Sequence, residues 1–76
     1  MALKFTSPSV AGVPDRIVLL PTGKIYFVEL KREDGKLSPI QNYVFKQFEK
    51  LGFSVRVLRS FKEVDEFIAE VLKDEV

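Results

Sequence analysis

Two carboxylates and a lysine occupy positions from which they could act together on a phosphate. Asp15 follows a proline, and the run Glu29-Leu30-Lys31 lies further along the chain. Carboxylate oxygens are the ligands that Mg²⁺ and Mn²⁺ prefer. An ammonium group stabilises the negative charge that develops on a phosphate during hydrolysis. The residue types therefore indicate metal-assisted hydrolysis of a phosphodiester, provided that the fold brings the three side chains together.

A β-hairpin is predicted to bring these side chains together. Asp15 to Leu20 and Lys24 to Lys31 are rich in Val, Ile, Phe and Tyr, the composition of strands. The connection Pro21-Thr22-Gly23 is short, and pairing around it joins residues whose numbers sum to about 44. Asp15 is then opposite Glu29, with the two side chains on one face of the sheet and ~5 Å apart.

Lys31 is predicted to share that face, because it lies two residues beyond Glu29 and side chains alternate along a strand. Gly23 stands where a left-handed conformation and a bulge commonly occur, and such a bulge would shift the pairing by one residue. The alternative to a catalytic cluster is a loop end at Asp15 and a solvated pair of charges at the sheet edge. The spacing alone is compatible with both interpretations.

The remaining elements are predicted from their caps and their apolar spacing. Ser38 and Gln41 form a capping box around Pro39 at the start of a helix, and Ser60 with Glu63 repeats the pattern before a second helix. Further strands are predicted at Ala2 to Thr6 and Phe53 to Leu58, with a loop over Ser7 to Pro14. The order βββαβα predicts an α/β fold. Its mixed sheet is flanked by two helices, and its last two strands run parallel across a right-handed crossover.

Gln41 is compatible with two roles. As the third residue of its helix it completes the capping box, and helix geometry explains it fully. A glutamine in the first turn of a helix that starts near Lys31 is also in reach of a metal-bound water or a phosphate. The two roles do not exclude each other, so both are predictions.

Length and composition limit the number of domains and the kinds of catalytic and metal site that this chain can form. Seventy-six residues predict a single domain over residues 1–76. Cys and His are absent, which excludes disulfides, thiolate sites, histidine catalysis and His-ligated metals. A net charge of +1 means that attraction to nucleic acid needs a local basic patch. No apolar run is long enough for a membrane span and no signal peptide is visible, so a cytoplasmic protein without a membrane partner is expected.

Candidate DNA contacts are basic or small polar side chains near the predicted site. The loop Thr6 to Gly12 offers backbone N–H groups to a phosphate, although an ordinary connector has the same composition. The seven Phe residues mostly fall at core positions and are not interpreted as platforms for base stacking. The side chains predicted to contact DNA are Lys4, Ser7, Ser9, Arg16, Lys36 and Ser38.

Three blocks of sequence, in order, resemble the VRR-NUC family, the virus-type replication-repair nucleases of the PD-(D/E)XK superfamily. The blocks are Gly12-Val13-Pro14-Asp15-Arg16, Glu29-Leu30-Lys31 and Gly35-Lys36-Leu37-Ser38-Pro39-Ile40-Gln41. The similarity covers about residues 2 to 60, and small stand-alone phage members are the most similar. Together the blocks are far more specific than the PD…ExK pattern, and the resemblance favours the catalytic interpretation.

The resemblance implies a restriction-endonuclease-like PD-(D/E)XK core and a Mg²⁺- or Mn²⁺-dependent DNA endonuclease. Asp15 and Glu29 would be metal ligands, with the backbone carbonyl of Leu30 completing the shell. Lys31 would be the catalytic lysine and Gln41 a further active-site residue. Stand-alone members are associated with homodimers and with four-way junctions or flaps. Branched DNA and a second copy are thus the expected partners, in the host cytoplasm during phage replication or repair if the chain is phage-encoded.

Family members usually carry an N-terminal helix with a further acidic residue ahead of the first strand. This chain starts at Met1 with that strand, so it is expected to lack the helix and its carboxylate. The alternative function is therefore a catalytically weak or inactive module that binds structured DNA without cutting it.

Overall fold

Four strands and two helices follow one another along the chain in the order βββαβα. The computed structural model describes residues 1–7 and 11–74. The elements are β1 (Ala2–Lys4), β2 (Arg16–Leu19), β3 (Ile25–Leu30), α1 (Pro39–Lys50), β4 (Ser54–Leu58) and α2 (Phe61–Asp74). The predicted order is confirmed. Each strand is shorter than predicted by one or two residues at one or both ends.

The strands form one mixed sheet in the order β1-β2-β3-β4. β1 and β2 are antiparallel, as are β2 and β3, whereas β3 and β4 are parallel and are connected through α1. Two parallel neighbours need a crossover connection, which α1 provides. The α/β class and the mixed sheet flanked by helices are therefore confirmed.

The turn between β2 and β3 sets the pairing of the hairpin. Gly23 has a φ of 88°, a left-handed conformation that glycine adopts without strain. Its N–H donates to the carbonyl of Leu20, and the N–H of Leu20 donates to the carbonyl of Lys24. Arg16 is paired with Val28 and the register continues without a shift to the turn. The predicted pairing is confirmed, and the turn does not displace it.

The two faces of the sheet pack against different helices because side chains alternate along β3. Tyr26 and Val28 point to α2, where they form a core with Leu58, Phe67 and Val71. The intervening Phe27 points to the other face. Its ring lies 4.8 Å from that of Phe48 on α1 and 5.6 Å from that of Phe53, centroid to centroid. Residues on the odd positions of β3 therefore lie on the α1 side.

The capping box of α1 has the predicted form. The Ser38 hydroxyl accepts from the N–H of Gln41, and the Gln41 carboxamide oxygen accepts from the N–H of Ser38. Some apolar residues of α1 and of its C-cap are exposed to solvent, however, and do not lie on the buried face of the helix. Tyr43 is 64% exposed and Leu51 74% exposed, while Val44 and Phe45 are buried.

The start of α2 differs in one detail from the predicted capping box. Ser60 accepts from the N–H of Glu63 as predicted, but the Glu63 carboxylate accepts from the N–H of Arg59. The Glu63 carboxylate thus accepts from Arg59, the residue before the N-cap Ser60, and not from Ser60 itself. Further along, Arg56 pairs with Glu70 of α2.

Phe61, the first residue of α2, is 91% exposed, unlike most of the other Phe residues. Over the residues that the structure describes, neither helix has the length and apolar content needed to traverse a lipid bilayer.

Candidate active site

Asp15 and Glu29 meet at the end of the β2–β3 hairpin. Arg16 and Val28 form the last pair of the ladder, and Asp15 and Glu29 are the next residues beyond it. Two hydrogen bonds link the pair: the N–H of Asp15 donates to Glu29 Oε1 at 3.1 Å, and the N–H of Leu30 donates to Asp15 Oδ1 at 3.4 Å. Each carboxylate is therefore held by the backbone beside the other.

Glu29 is the one buried charged side chain among the described residues, with 7% of its surface exposed. A buried carboxylate is costly unless other groups hydrogen-bond to it or neutralise it. Three neighbours do so: the N–H of Asp15, the Gln41 carboxamide and the Lys31 ammonium. A buried carboxylate surrounded by several such partners is typical of functional sites, although structural ion-pair networks contain such groups too.

Lys31 lies on the same face as Glu29, as predicted. Its Nζ is 3.8 Å from Glu29 Oε2, and its side chain is mostly buried. A partly buried lysine that is ion-paired with a carboxylate keeps its position better than one on a mobile surface chain. Lys31 therefore presents a fixed positive charge beside the two carboxylates.

Gln41 connects the start of α1 to this cluster through the two ends of its carboxamide. Its oxygen accepts from the N–H of Ser38 at 2.9 Å, and its Nε2 donates to Glu29 Oε2 at 3.4 Å. The cap and the site contact thus coexist. The contact with the cap orients the amide so that its donor end faces the Glu29 carboxylate.

The environment of Glu29 favours its neutral form. Burial raises the pKa of the Glu29 carboxyl above its usual value, and the nearby Asp15 carboxylate raises it further. Lys31 and the hydrogen bonds from Asp15 and Gln41 oppose this rise without cancelling it. A cation placed between the two carboxylates would relieve both the burial cost and the repulsion.

This pKa shift predicts how the stability of the metal-free protein depends on pH. Below the usual pKa of Glu, the carboxyl is protonated in both folded and unfolded chains, so its ionisation does not change the free energy of unfolding. As the pH rises from that value through the raised folded pKa, the unfolded chain loses its proton first, and the folded state loses stability. The thermal midpoint of the wild type should therefore fall relative to that of Glu29→Gln over this interval, and then stay at a constant distance.

Thermal unfolding in EDTA at a series of pH values, followed by circular dichroism, measures this difference. Taking the difference between the two proteins removes the titration of the other carboxylates. A gap between the midpoints that does not change with pH would show that Glu29 carries no such cost.

The donor set fits a hard divalent cation. Asp15 and Glu29 offer carboxylate oxygens on one face, and the chain has no Cys or His to offer instead. Among the described residues no group of three or more Asp, Glu, His or Cys side chains is placed to hold a metal. Two carboxylates with a backbone carbonyl and several waters suit Mg²⁺, which keeps much of its water shell.

The side chains predicted to contact DNA lie at different distances from this cluster. Arg16 is beside Asp15, with Nη1 3.0 Å from the Asp15 carbonyl and 3.7 Å from its Oδ2. Lys4 is paired with Arg16 across β1 and β2, and is exposed. Ser38 caps the helix that carries Gln41. Exposed Lys36 and partly buried Ser7 lie in loops, and Ser9 falls outside the described residues.

Two contacts around the site were not predicted from the sequence. Arg59 Nε donates to the carbonyl of Gly35 at 3.0 Å and so fastens the loop between β3 and α1. Gly12 lies against the backbone of Ile40 and Gln41. The nearby Pro14-Asp15 motif indicates that this segment is functional. The contact between Gly12 and α1, however, depends on tertiary packing, which no local sequence pattern predicts.

Comparison with known proteins gives three concordant matches. The VRR-NUC domain family matches residues 4–62. "Putative nuclease p44" of Acyrthosiphon pisum secondary endosymbiont phage 1 is 48% identical over 60 residues, 79% of this chain. The match spans 64% of that phage protein, less than two thirds of its length. A solved structure of a VRR-NUC domain superposes with a TM-score of 0.84 at 40% identity, covering 91% of this chain and 75% of the other.

Proposed function

Since this chain belongs to the VRR-NUC domain family, we propose that it is a metal-dependent endonuclease that hydrolyses phosphodiester bonds in branched or otherwise structured DNA. One observation carries the proposal: Asp15, Glu29 and Lys31 converge on one face of the sheet, with Gln41 donating to the buried Glu29. Carboxylates that hold a metal ion can supply charge neutralisation and an activated water for phosphodiester hydrolysis, and a nearby ammonium can stabilise the transition state.

Asp15, Glu29 and the backbone carbonyl of Leu30 are the proposed ligands of Mg²⁺ or Mn²⁺. When bound, such an ion supplies positive charge for the phosphate and lowers the pKa of a coordinated water. The fit rests on the oxygen donors of the two opposed carboxylates and on the raised pKa of Glu29, which is caused by burial and then by the neighbouring Asp15 carboxylate.

Lys31 and Gln41 have separate proposed tasks. The Lys31 ammonium places charge where the phosphate becomes more negative in the transition state, which is the most effective position for electrostatic stabilisation. The Gln41 amide holds the Glu29 carboxylate in one orientation. The DNA backbone is the proposed partner of Lys4, Ser7, Ser9, Arg16, Lys36 and Ser38.

The proposal is tested with linear duplex, flap and four-way-junction DNA incubated with Mn²⁺ or Mg²⁺, with EDTA as the metal-free control. Cleavage is expected with either metal and not with EDTA, and branched DNA should be cut faster than linear duplex. Asp15→Asn, purified in parallel, should remove cleavage because it removes a metal ligand. Equal cleavage by wild type and Asp15→Asn, in preparations shown to be free of contaminating nuclease, would overturn the proposal.

A second candidate function is supported by the presence of only two acidic side chains at the site among the described residues. A non-catalytic module would bind branched DNA and leave it intact. The same incubation distinguishes the two functions, because that module gives a shifted band in a native gel without nicked products. Its binding should weaken with added salt, as expected where phosphates are the contacts.

A homodimer is proposed for either function. Branched DNA presents paired strands, while one chain of this size offers one site. Apolar side chains on α1 and at its C-cap are exposed, among them Tyr43 and Leu51, which is compatible with a covered surface in an assembly. Sedimentation velocity, with and without a four-way junction, determines the number of chains.

A further inference from the structure

Gly12 approaches the first turn of α1 more closely than most residues with a side chain approach a neighbouring backbone. A Cβ at this position would lie 3.1 Å from the carbonyl carbon and oxygen of Ile40 and 3.2 Å from the backbone N of Gln41. These neighbours are backbone atoms of a capped helix, so they cannot move aside as a flexible side chain would. Gly12 also has a φ of +84°, which L residues rarely adopt.

The same loop delivers Asp15 to the site. Pro14, between Gly12 and Asp15, is fully buried and anchors the segment. Asp15 then donates its N–H to Glu29 Oε1. The loop is thus fixed at one end to the α1 backbone and at the other to the Glu29 carboxylate.

The helix turn that Gly12 contacts is the one that carries Gln41. From there Gln41 Nε2 donates to Glu29 Oε2 at 3.4 Å, already the long end of hydrogen-bond geometry. Pushing α1 away by even a few tenths of an ångström would break this contact. The spacing between loop and helix therefore determines whether both oxygens of Glu29 keep their donors.

We infer that Gly12 is a positioning residue for the active site, acting through Gln41 on the Glu29 carboxylate. Its lack of a side chain lets the loop and the first turn of α1 close around Glu29 from two sides. Gly12 touches neither metal nor DNA in this role. The effect on catalysis rests on the proposed nuclease function, whereas the effect on Gln41 does not.

The test compares Gly12→Ala with Gly52→Ala. Gly52 has a φ of +95°, and a Cβ there would have no atom within 4 Å. The two variants therefore share the backbone strain, and Gly12→Ala alone adds the collision with α1. Gly12→Ala should lower kcat by roughly ten- to a hundredfold, since small displacements of catalytic groups have effects of that size. Its KM for DNA and both parameters of Gly52→Ala should stay within about twofold of wild type.

A second readout needs no activity. Gln41 and Gln47 are the only glutamines in the sequence, so their side-chain amide signals in a ¹H–¹⁵N spectrum are assigned from a Gln41→Ala variant. Gly12→Ala should move the Gln41 pair towards the position of a glutamine amide in the urea-unfolded chain, because its hydrogen bond to the Glu29 carboxylate is lost. Gly52→Ala should leave it in place.

The outcomes separate this inference from the proposed function. An unmoved Gln41 signal in folded Gly12→Ala, or an equal fall in kcat in Gly52→Ala, overturns the positioning role. A moved signal in a chain without nuclease activity supports the contact and overturns only the function. If Gly12→Ala does not fold, Gly12→Asn replaces it, because Asn tolerates positive φ better while keeping the Cβ.

Discussion

Glu29→Gln is expected to lower the proposed metal-dependent DNA cleavage by roughly 1000-fold or more, because it removes one of the two proposed carboxylate ligands among the described residues. The protein should stay folded, since glutamine has nearly the same shape as glutamate. Glutamine also removes the burial of a charge and the repulsion with Asp15, which together raise the pKa of the Glu29 carboxyl. Single-turnover cleavage of a junction or flap over a range of Mn²⁺ concentrations measures the loss.

Glu33→Gln is the matched control for this experiment. Glu33 lies four residues further on, in the turn after β3, and is exposed. The substitution removes one negative charge from the same part of the molecule without touching the cluster. Its cleavage rate should stay within a few-fold of wild type. Equal losses in the two variants would show that overall charge, and not a ligand at position 29, controls the rate.

Phe67→Ala is expected to destabilise the protein by about 3–5 kcal/mol, the usual cost of truncating a buried Phe. Phe67 is 7% exposed and packs edge-on against Tyr26 at 5.4 Å between centroids. The Arg56 guanidinium lies 5.8 Å from the same ring. Domains of this size have a total stability on the order of 5–10 kcal/mol, so the variant should unfold at a much lower urea concentration.

Ile68→Ala provides the comparison for Phe67→Ala. Ile68 is the next residue of α2 but is 49% exposed, so its truncation should cost less than about 1 kcal/mol. Urea unfolding followed by circular dichroism gives both values. If the two truncations cost the same, Phe67 is not part of the core described here. Both substitutions lie on the α2 side of the sheet, so folded molecules of either variant should cut DNA at the wild-type rate.

The sequence predicts the pieces of the site that depend on local geometry. The pairing of Asp15 with Glu29 follows from a short turn with a glycine at its left-handed position, and both the turn and the register are as predicted. The capping box of Ser38 with Gln41 is likewise predictable, because its two residues are close in the sequence. Strand ends are less well defined, because pairing partners and not composition decide where a ladder stops.

Contacts between segments that are distant in the sequence cannot be predicted from local sequence patterns. The donation from Gln41 to Glu29 could be proposed only as one of two roles, since nothing local sets the angle between α1 and the hairpin. The approach of Gly12 to α1 and the bond from Arg59 to Gly35 depend on the assembled fold. Exposure is equally non-local: Leu51 keeps the spacing of a buried face, yet is 74% exposed.

The alternation of side chains along β3 keeps the candidate site and the main core on opposite faces of the sheet. Ile68 and Leu72 are exposed on the far side of α2, so the outer surface of this helix can be redesigned without altering the groups around Glu29. Lysines at these two positions would make an almost neutral chain basic. Long-range attraction would then speed its encounter with the proposed DNA substrate at low salt, while the proposed chemical step stayed the same. The association rate and the rate of hydrolysis are in this way open to independent adjustment.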